Sequence, residues 1–358
     1  MAVFDRRTGE FTERREADRR FRSASVVKLL LVLDVLWDRA PSALPAEERA
    51  RLEAMLRHSD DQAASHYWAQ RGGSRIIERM VPRLGLTGTV PPPSTHPGYW
   101  GYTALTAADT VRIYRHLLEE APAAVRDFVL GHLHRATRCA GDGFDQYFGI
   151  ASAFDKPWAL KQGWSGFTSG GCTAGASPAR TRGPHPGRDG RAAPETRSEP
   201  DAGHRPEGRP SDPPVVDLVS EALHTTGTVG PDDRTIVAVL TLHPDGTPYG
   251  TAYSRLTRLA GSLDVPGAER PAGTWFGTWG SGVRVRAAAT TGSDVVTTLP
   301  AGVEVLVACQ QRGQRVEVPP YSNDWWAYLP QYGGYLTNIY VDTPGNTLPD
   351  VPECRQAR

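Results

Sequence analysis

The chain has 358 residues, enough for one large domain with a small one or for two of middling size. Its 40 basic and 40 acidic residues cancel, so no net field draws it to nucleic acid or anionic lipid. The 37 glycines and 30 prolines, beside 39% apolar residues, indicate ordered domains joined by loose segments, and no run approaches the roughly 18 apolar residues of a bilayer span.

In chain order, residues 2–21 (AVFDRRTGEFTERREADRRF) read as a strand, an R-T-G turn and a second short strand. Residues 25–39 (SVVKLLLVLDVLWDR) predict a helix that is apolar nearly all round and therefore central. Residues 44–59 predict an amphipathic helix with proline in its first turn. DQAASHYWAQRGG and SRIIERMVPRLGL continue as helix, Gly-Gly stop and helix. PPPSTHPGYWGY (91–102) is an irregular loop, residues 106–121 form a Thr-capped helix, and WALKQGW (158–164) is a strand. Residues 173–214 contain no Val, Ile, Leu, Met, Phe, Tyr or Trp, and such a segment cannot offset its ordering entropy. It is expected to be disordered, either as a genuine flap or as an out-of-frame stretch of a GC-rich gene. RTIVAVLTLHP and the preceding LHTTGTVG form a strand pair, TAYSRLTRLAGSL a closing helix, 266–281 a linker, and 282–358 a small all-β barrel. The run 26–36 is too short and too charged to span a membrane, and no export signal precedes it, so the native N-terminus is expected further upstream.

Only three lysines occur, Lys28, Lys156 and Lys161, against 37 arginines. Lysine can surrender its proton when buried and arginine cannot, so a lysine kept inside the 25–39 helix is a candidate for chemistry. Ser25 and Lys28 stand one helical turn apart, with the serine's N–H free at the helix start. The plain alternative is a lysine snorkelling from a core helix. Ser59-Asp60-Asp61 falls at a helix junction, where serine and aspartate also serve as ordinary caps. Lys161-Gln162-Gly163 lies on a predicted strand, where glycine lets another backbone approach. No C-x-x-C or H-E-x-x-H spacing occurs, so neither a metal nor a cofactor is expected.

The ordered set S-x-x-K, S-D-D and K-Q-G resembles the S-x-x-K, S-D-N and K-T-G signature of class A β-lactamases and penicillin-binding proteins. The resemblance covers 1–172 and 215–265, and two of the three lysines fall on its motif positions. It implies an α+β fold, an antiparallel sheet flanked by helices. It also implies Ser25 as nucleophile, Lys28 as its base or proton partner, and Ser59 as a proton shuttle. Substrate binding would fall to Asp61, Lys161, Gln162, Gly163 and Trp164, with an oxyanion hole from the N–H groups of Ser25 and Trp164. Three positions depart from the pattern. Asp61 stands for asparagine, Gln162 for a hydroxyl residue, and loop 91–102 has no acidic residue where class A enzymes carry the glutamate that deacylates them.

Residues 282–358 resemble a bacterial SH3-like domain through V-R-V-R, the L-P-A-G turn and GGYLTNIYV. That implies cell-wall glycopeptide binding or a spacer role, with Trp325, Trp326, Tyr328 and Tyr335 either lining a cleft or filling the core. A Cys309–Cys354 disulfide would staple strand to tail, and the pairing of Cys139 with Cys172 stays open. The chain is thus expected to be an exported serine hydrolase that forms an acyl-serine with β-lactams or D-alanyl peptides and deacylates slowly. The alternatives are an inactive penicillin-binding-like envelope protein and a cytosolic esterase on the same fold.

Overall fold

A computed structural model describes residues 1–172 and 216–355; the 173–214 segment expected to be disordered lies outside the described residues. The first sheet joins strands from both ends of the first 243 residues. Its members are β1 (Ala2–Asp5), β2 (Glu10–Arg14), β5 (Trp158–Leu160), β6 (Gly163–Ser165), β7 (Glu221–Val229) and β8 (Thr235–His243), while β3 (Phe21–Arg22) pairs separately with β4 (Ala104–Leu105). The order is β2-β1-β8-β7-β5, with β6 also on β7, and every pairing is antiparallel. Alternation along the strands gives the sheet two apolar faces. Ile236, Ala238 and Leu240 enter one core, while Val237 and Val239 enter the other.

The first core holds α1 (Lys28–Leu36), whose nine residues are all buried. Around it lie α2 (Ala46–Arg57), α3 (Asp61–Gln70), α4 (Ser74–Arg83), α5 (Ala107–Arg115) and α6 (Ala123–Leu133). The second core is closed by α7 (Ile150–Ala153) and α8 (Tyr249–Ser262). The expected architecture, an antiparallel sheet flanked by helices with a further all-β part, is the one observed. Asp34 inside α1 is buried and takes bonds from Arg71 and Arg79, with Arg83 at 3.8 Å. Burial alone would raise its carboxyl, but the arginines outweigh this and hold it below the usual range.

Several local expectations change. The 25–39 helix opens as a tighter 3-10 turn, Ala24–Val27, before α1 begins at Lys28. WALKQGW is broken into β5 and β6 because the Gln162 side chain turns inward and its Oε1 accepts the Thr226 N–H. The 106–121 helix widens after Arg115 into one π-helical turn.

The C-terminal part begins earlier than expected, since β9 (Thr274–Gly277), inside the stretch read as a linker, is a paired strand. Then come β10 (Val283–Arg286), β11 (Val295–Leu299), β12 (Glu304–Val307), β13 (Cys309–Val318), β14 (Tyr321–Leu329) and β15 (Gly334–Thr337). They form a five-stranded sheet, β11-β10-β15-β14-β13, and a β12-β9 ribbon around a shared apolar core. Trp326 is buried, with its indole N–H on the Gln314 carbonyl, and Trp325 lies under Arg312. Tyr328 and Tyr335 are half-buried and face each other at 5.2 Å. A disulfide joins Cys309 to Cys354.

Removing the carboxylate from the Asp34 cluster leaves arginines gathered round nothing. Asp34→Ala is expected to cost roughly 3 kcal/mol in urea unfolding. In the wild type this contribution is complete above the ordinary carboxylate range and is lost as pH falls through the lowered Asp34 value.

Candidate active site

Ser25 lies in the 3-10 turn between β3 and α1. Ala24 before it has φ 45°, a left-handed conformation that a residue with a Cβ adopts only under constraint. The constraint comes from both sides. The Ser23 N–H donates to the Thr103 carbonyl at 2.8 Å, and the β6 backbone presses against the turn at Gly163. A Cβ on Gly163 would lie 3.0 Å from the Ser23 carbonyl oxygen and 3.3 Å from Ala24 Cβ, so this glycine admits the serine turn rather than a substrate backbone. Ser25 is 5% exposed, and among the described residues its hydroxyl takes no hydrogen bond.

Lys28 follows at the start of α1 and is fully buried. Its Nζ donates to the Ser59 carbonyl (2.6 Å), Ser59 Oγ (3.2 Å) and Asp61 Oδ1 (2.6 Å), which uses all three ammonium protons. The Trp100 ring covers it, with Nζ 4.8 Å from the ring centroid. Asp61 is at the first position of α3, where the helix N-terminus favours a carboxylate, and about half of its side chain is open to solvent. Asp60 is the cap itself, accepting the Ala63 N–H at 2.7 Å. Ser59, which bends the chain into α3, has φ 53°.

Lys161 arrives from the break between β5 and β6, 1% exposed, and its Nζ donates to Ser59 Oγ at 2.9 Å and to the Gln162 carbonyl at 3.2 Å. Burial, then the charge of Lys28, push its amine well below the ordinary lysine value; Asp61 and Asp142 act the other way. Ser59 Oγ therefore accepts from two lysines, and its own proton remains to be donated elsewhere.

Not every expected residue faces this centre. Gln162 is buried, and its amide donates to the Gln146 and Phe148 carbonyls at 2.9 and 2.8 Å, so it braces the strand break and is not placed to hold a substrate carboxylate. Trp164 flanks the site, stacked on Phe144 with centroids 5.6 Å apart, and its indole N–H donates to Asp142 at 2.9 Å. Asp142, Trp100 and Arg138 belong to no recognisable spacing. Their segments, CAGDG, GYWGY and ATRCA, carry no local signal of a site, and only folding brings them here. The surrounding protein and then the Asp61 charge push the Asp142 carboxyl upward, against the pull of Trp164 and Lys28.

Beneath the serine turn, buried Arg22 donates to the Ser165, Asp217 and Ser220 carbonyls. His224 takes the Thr241 N–H on Nδ1, so its Nε2 carries the proton and donates to the Arg22 carbonyl at 2.8 Å. Burial lowers its imidazole to about 4, which keeps it neutral. The described residues hold no cluster of His, Cys, Asp or Glu able to bind a metal.

No family model matches the chain. It is similar to the protein named "Putative lipoprotein LppW" of Mycobacterium bovis and of Mycobacterium tuberculosis, 34% identical over 170 residues in each case, 46% of this chain and 53% of the relative. The chain thus spans about half the length of the curated relatives it matches. Among solved structures it overlaps a class A β-lactamase from Mycobacterium abscessus (16% identity, TM-score 0.45, 73% of this chain and 90% of the other). A β-lactamase from Xanthomonas campestris overlaps similarly (13% identity, TM-score 0.47, 73% and 88%). With TM-scores below 0.5, these overlaps assign neither family nor chemistry to this chain.

The lowered Lys161 amine has a measurable consequence. Between its folded-state value and about 10.4, the unfolded chain binds a proton that the folded chain sheds, so Lys161 makes stability rise with pH across that window. Lys161→Met is expected to flatten this rise in urea midpoints measured from about pH 7 to about pH 10.

Proposed function

We propose that this chain is a serine hydrolase that acylates Ser25 with β-lactams or D-alanyl peptides and releases the acyl group slowly. The observation that carries the reading is the meeting of Lys28 and Lys161 on the one hydroxyl of Ser59, beside the strained Ser25 turn. These groups lie 31 and 102 residues from Ser59 in the chain, and a binding module has no need to bury two amines around a serine.

In the proposed step, Ser25 Oγ attacks the amide carbonyl and its proton passes to Lys28. The tetrahedral oxyanion is held by the N–H groups of Ser25 and Trp164. When the C–N bond breaks, Ser59 gives its free proton to the leaving nitrogen and is reprotonated by Lys28, which has just taken the Ser25 proton. Lys161 stays hydrogen-bonded to Ser59 Oγ and keeps that hydroxyl in place. Lys28 must first be freed as a base, since Asp61 and Ser59 occupy all three of its N–H bonds. Deacylation lacks a carboxylate from loop 91–102, and Trp100 of that loop lies over Lys28 instead. An acyl-enzyme in this setting turns over slowly.

A second reading is favoured by one feature. Lys28 is tied to Asp61, and among the described residues the Ser25 hydroxyl has no hydrogen-bonded base, as suits an inactive penicillin-binding-like protein. Either form is proposed to act in the cell envelope. The disulfides Cys139–Cys172 and Cys309–Cys354 suit an oxidising compartment, and the curated relatives bear a lipoprotein name. The C-terminal part is proposed to be SH3-like, with cell-wall glycopeptide as its candidate ligand.

Intact-mass spectrometry after incubation with a penicillin tests the reading. Wild type is expected to gain one adduct that Ser25→Ala lacks and to keep it for hours. No adduct on folded wild type, with simple esters also untouched, would decide for the inactive protein. Asp61→Asn, which releases Lys28 from its ion pair, is expected to speed acylation on the order of tenfold, read from the same mass shift against time.

A further inference from the structure

The loop from α6 to α7 forms one wall of the candidate site. It carries Asp142, bonded to Trp164, and Gln146, whose carbonyl receives Gln162 at 2.9 Å. The Gln146 N–H in turn donates to the Arg138 carbonyl at 2.7 Å, so Arg138 stands at the root of this wall. Its guanidinium lies between two rings, 4.4 Å from the centroid of Tyr147 in the same loop and 4.3 Å from that of Tyr332 in the C-terminal part. It also pairs with buried Asp145 at 3.2 Å and donates to the Gln331 carbonyl.

We propose that Arg138 is a positioning residue through which the C-terminal β part holds this wall, so that the site is complete only with that part docked. The catalytic consequence rests on the acyl-serine reading above; the docking itself does not. Two further contacts support it. Pro300 packs where Gly171 has no side chain, since a Cβ there would lie 2.5 Å from Pro300 Cδ. Cys172, next to Gly171, is disulfide-bonded to Cys139, next to Arg138, so both strands of the wall are tied together where the C-terminal part touches them. On α8, the Ser254 hydroxyl accepts the Glu304 N–H at 2.6 Å. Domains on a plain tether have loose, polar interfaces, whereas a guanidinium sandwiched between rings over a buried carboxylate is a specific joint. Reacting groups tolerate little displacement: a shift of about 1 Å can cost 10²-fold in rate.

The test uses the full chain with Tyr332→Ala, Tyr332→Leu, Tyr332→Phe and, as a control, the exposed Tyr321→Ala. Tyr332→Leu keeps apolar bulk without a π face and is read in place of Tyr332→Ala should the latter not fold. Amide hydrogen exchange at residues 138–146 and 170–172 is followed beside the rate of Ser25 labelling by a fluorescent penicillin. Removing the ring is expected to speed exchange in the wall on the order of tenfold, with α1 unchanged, and to slow labelling by a similar factor. Tyr332→Phe is expected to restore both, and Tyr321→Ala to alter neither. A folded Tyr332→Ala or Tyr332→Leu protein with wild-type exchange in the wall overturns the proposal. Wild type that is never labelled defeats the acyl-serine reading instead, and the exchange comparison still decides whether the joint positions the wall.

Discussion

Two buried amines share one hydroxyl, and the rest of the site is arranged so that this is possible. An unpaired ammonium in a protein interior is among the costliest groups to bury, and two of them a few ångströms apart add repulsion. Three features offset that cost. Ser59 offers Lys28 both its carbonyl and its hydroxyl, Asp61 at the α3 N-terminus supplies the opposite charge, and Lys161 relieves the repulsion by holding its proton weakly. Asp61 is thus more than a variant of an amide. It supplies the carboxylate against which the buried Lys28 amine is paired at 2.6 Å.

The serine turn depends on the same compression from another side. Ala24 is held left-handed because β6 lies directly against it, and β6 lies there because Gly163 has no side chain and Gln162 folds away under the strand. Arg22 and His224 close the space below with bonds to main-chain carbonyls, leaving the turn little room to relax. Trp100 then sets the character of the site. An aromatic ring over an ammonium stabilises its charge.

The C-terminal part belongs to this arrangement as well. Among the described residues, its contacts with the first part fall on the α6–α7 loop, on residues 170–172, on Ser152 of α7 and on α8.

How far the fold and the site are legible in the sequence depends on the range of the forces involved. Apolar periodicity is local, so the buried α1, the alternating β8 and the Thr106 cap can be read from consecutive residues. The scarcity of lysine marks Lys28 and Lys161 by composition alone. Direction and contact are not local. Nothing in L-K-Q-G-W tells that Gln162 turns inward while Lys161 turns to Ser59, because that choice is made by carbonyls of residues 146 and 148 and an amide of residue 226. Likewise β9 is hidden in a Gly- and Pro-rich stretch, since its only reason to be a strand is β12 about thirty residues on. The sequence alone determined which residues are chemically able, through composition and spacing. The tertiary structure alone decided which of them meet, because a buried charge takes whatever partner the packing brings within reach.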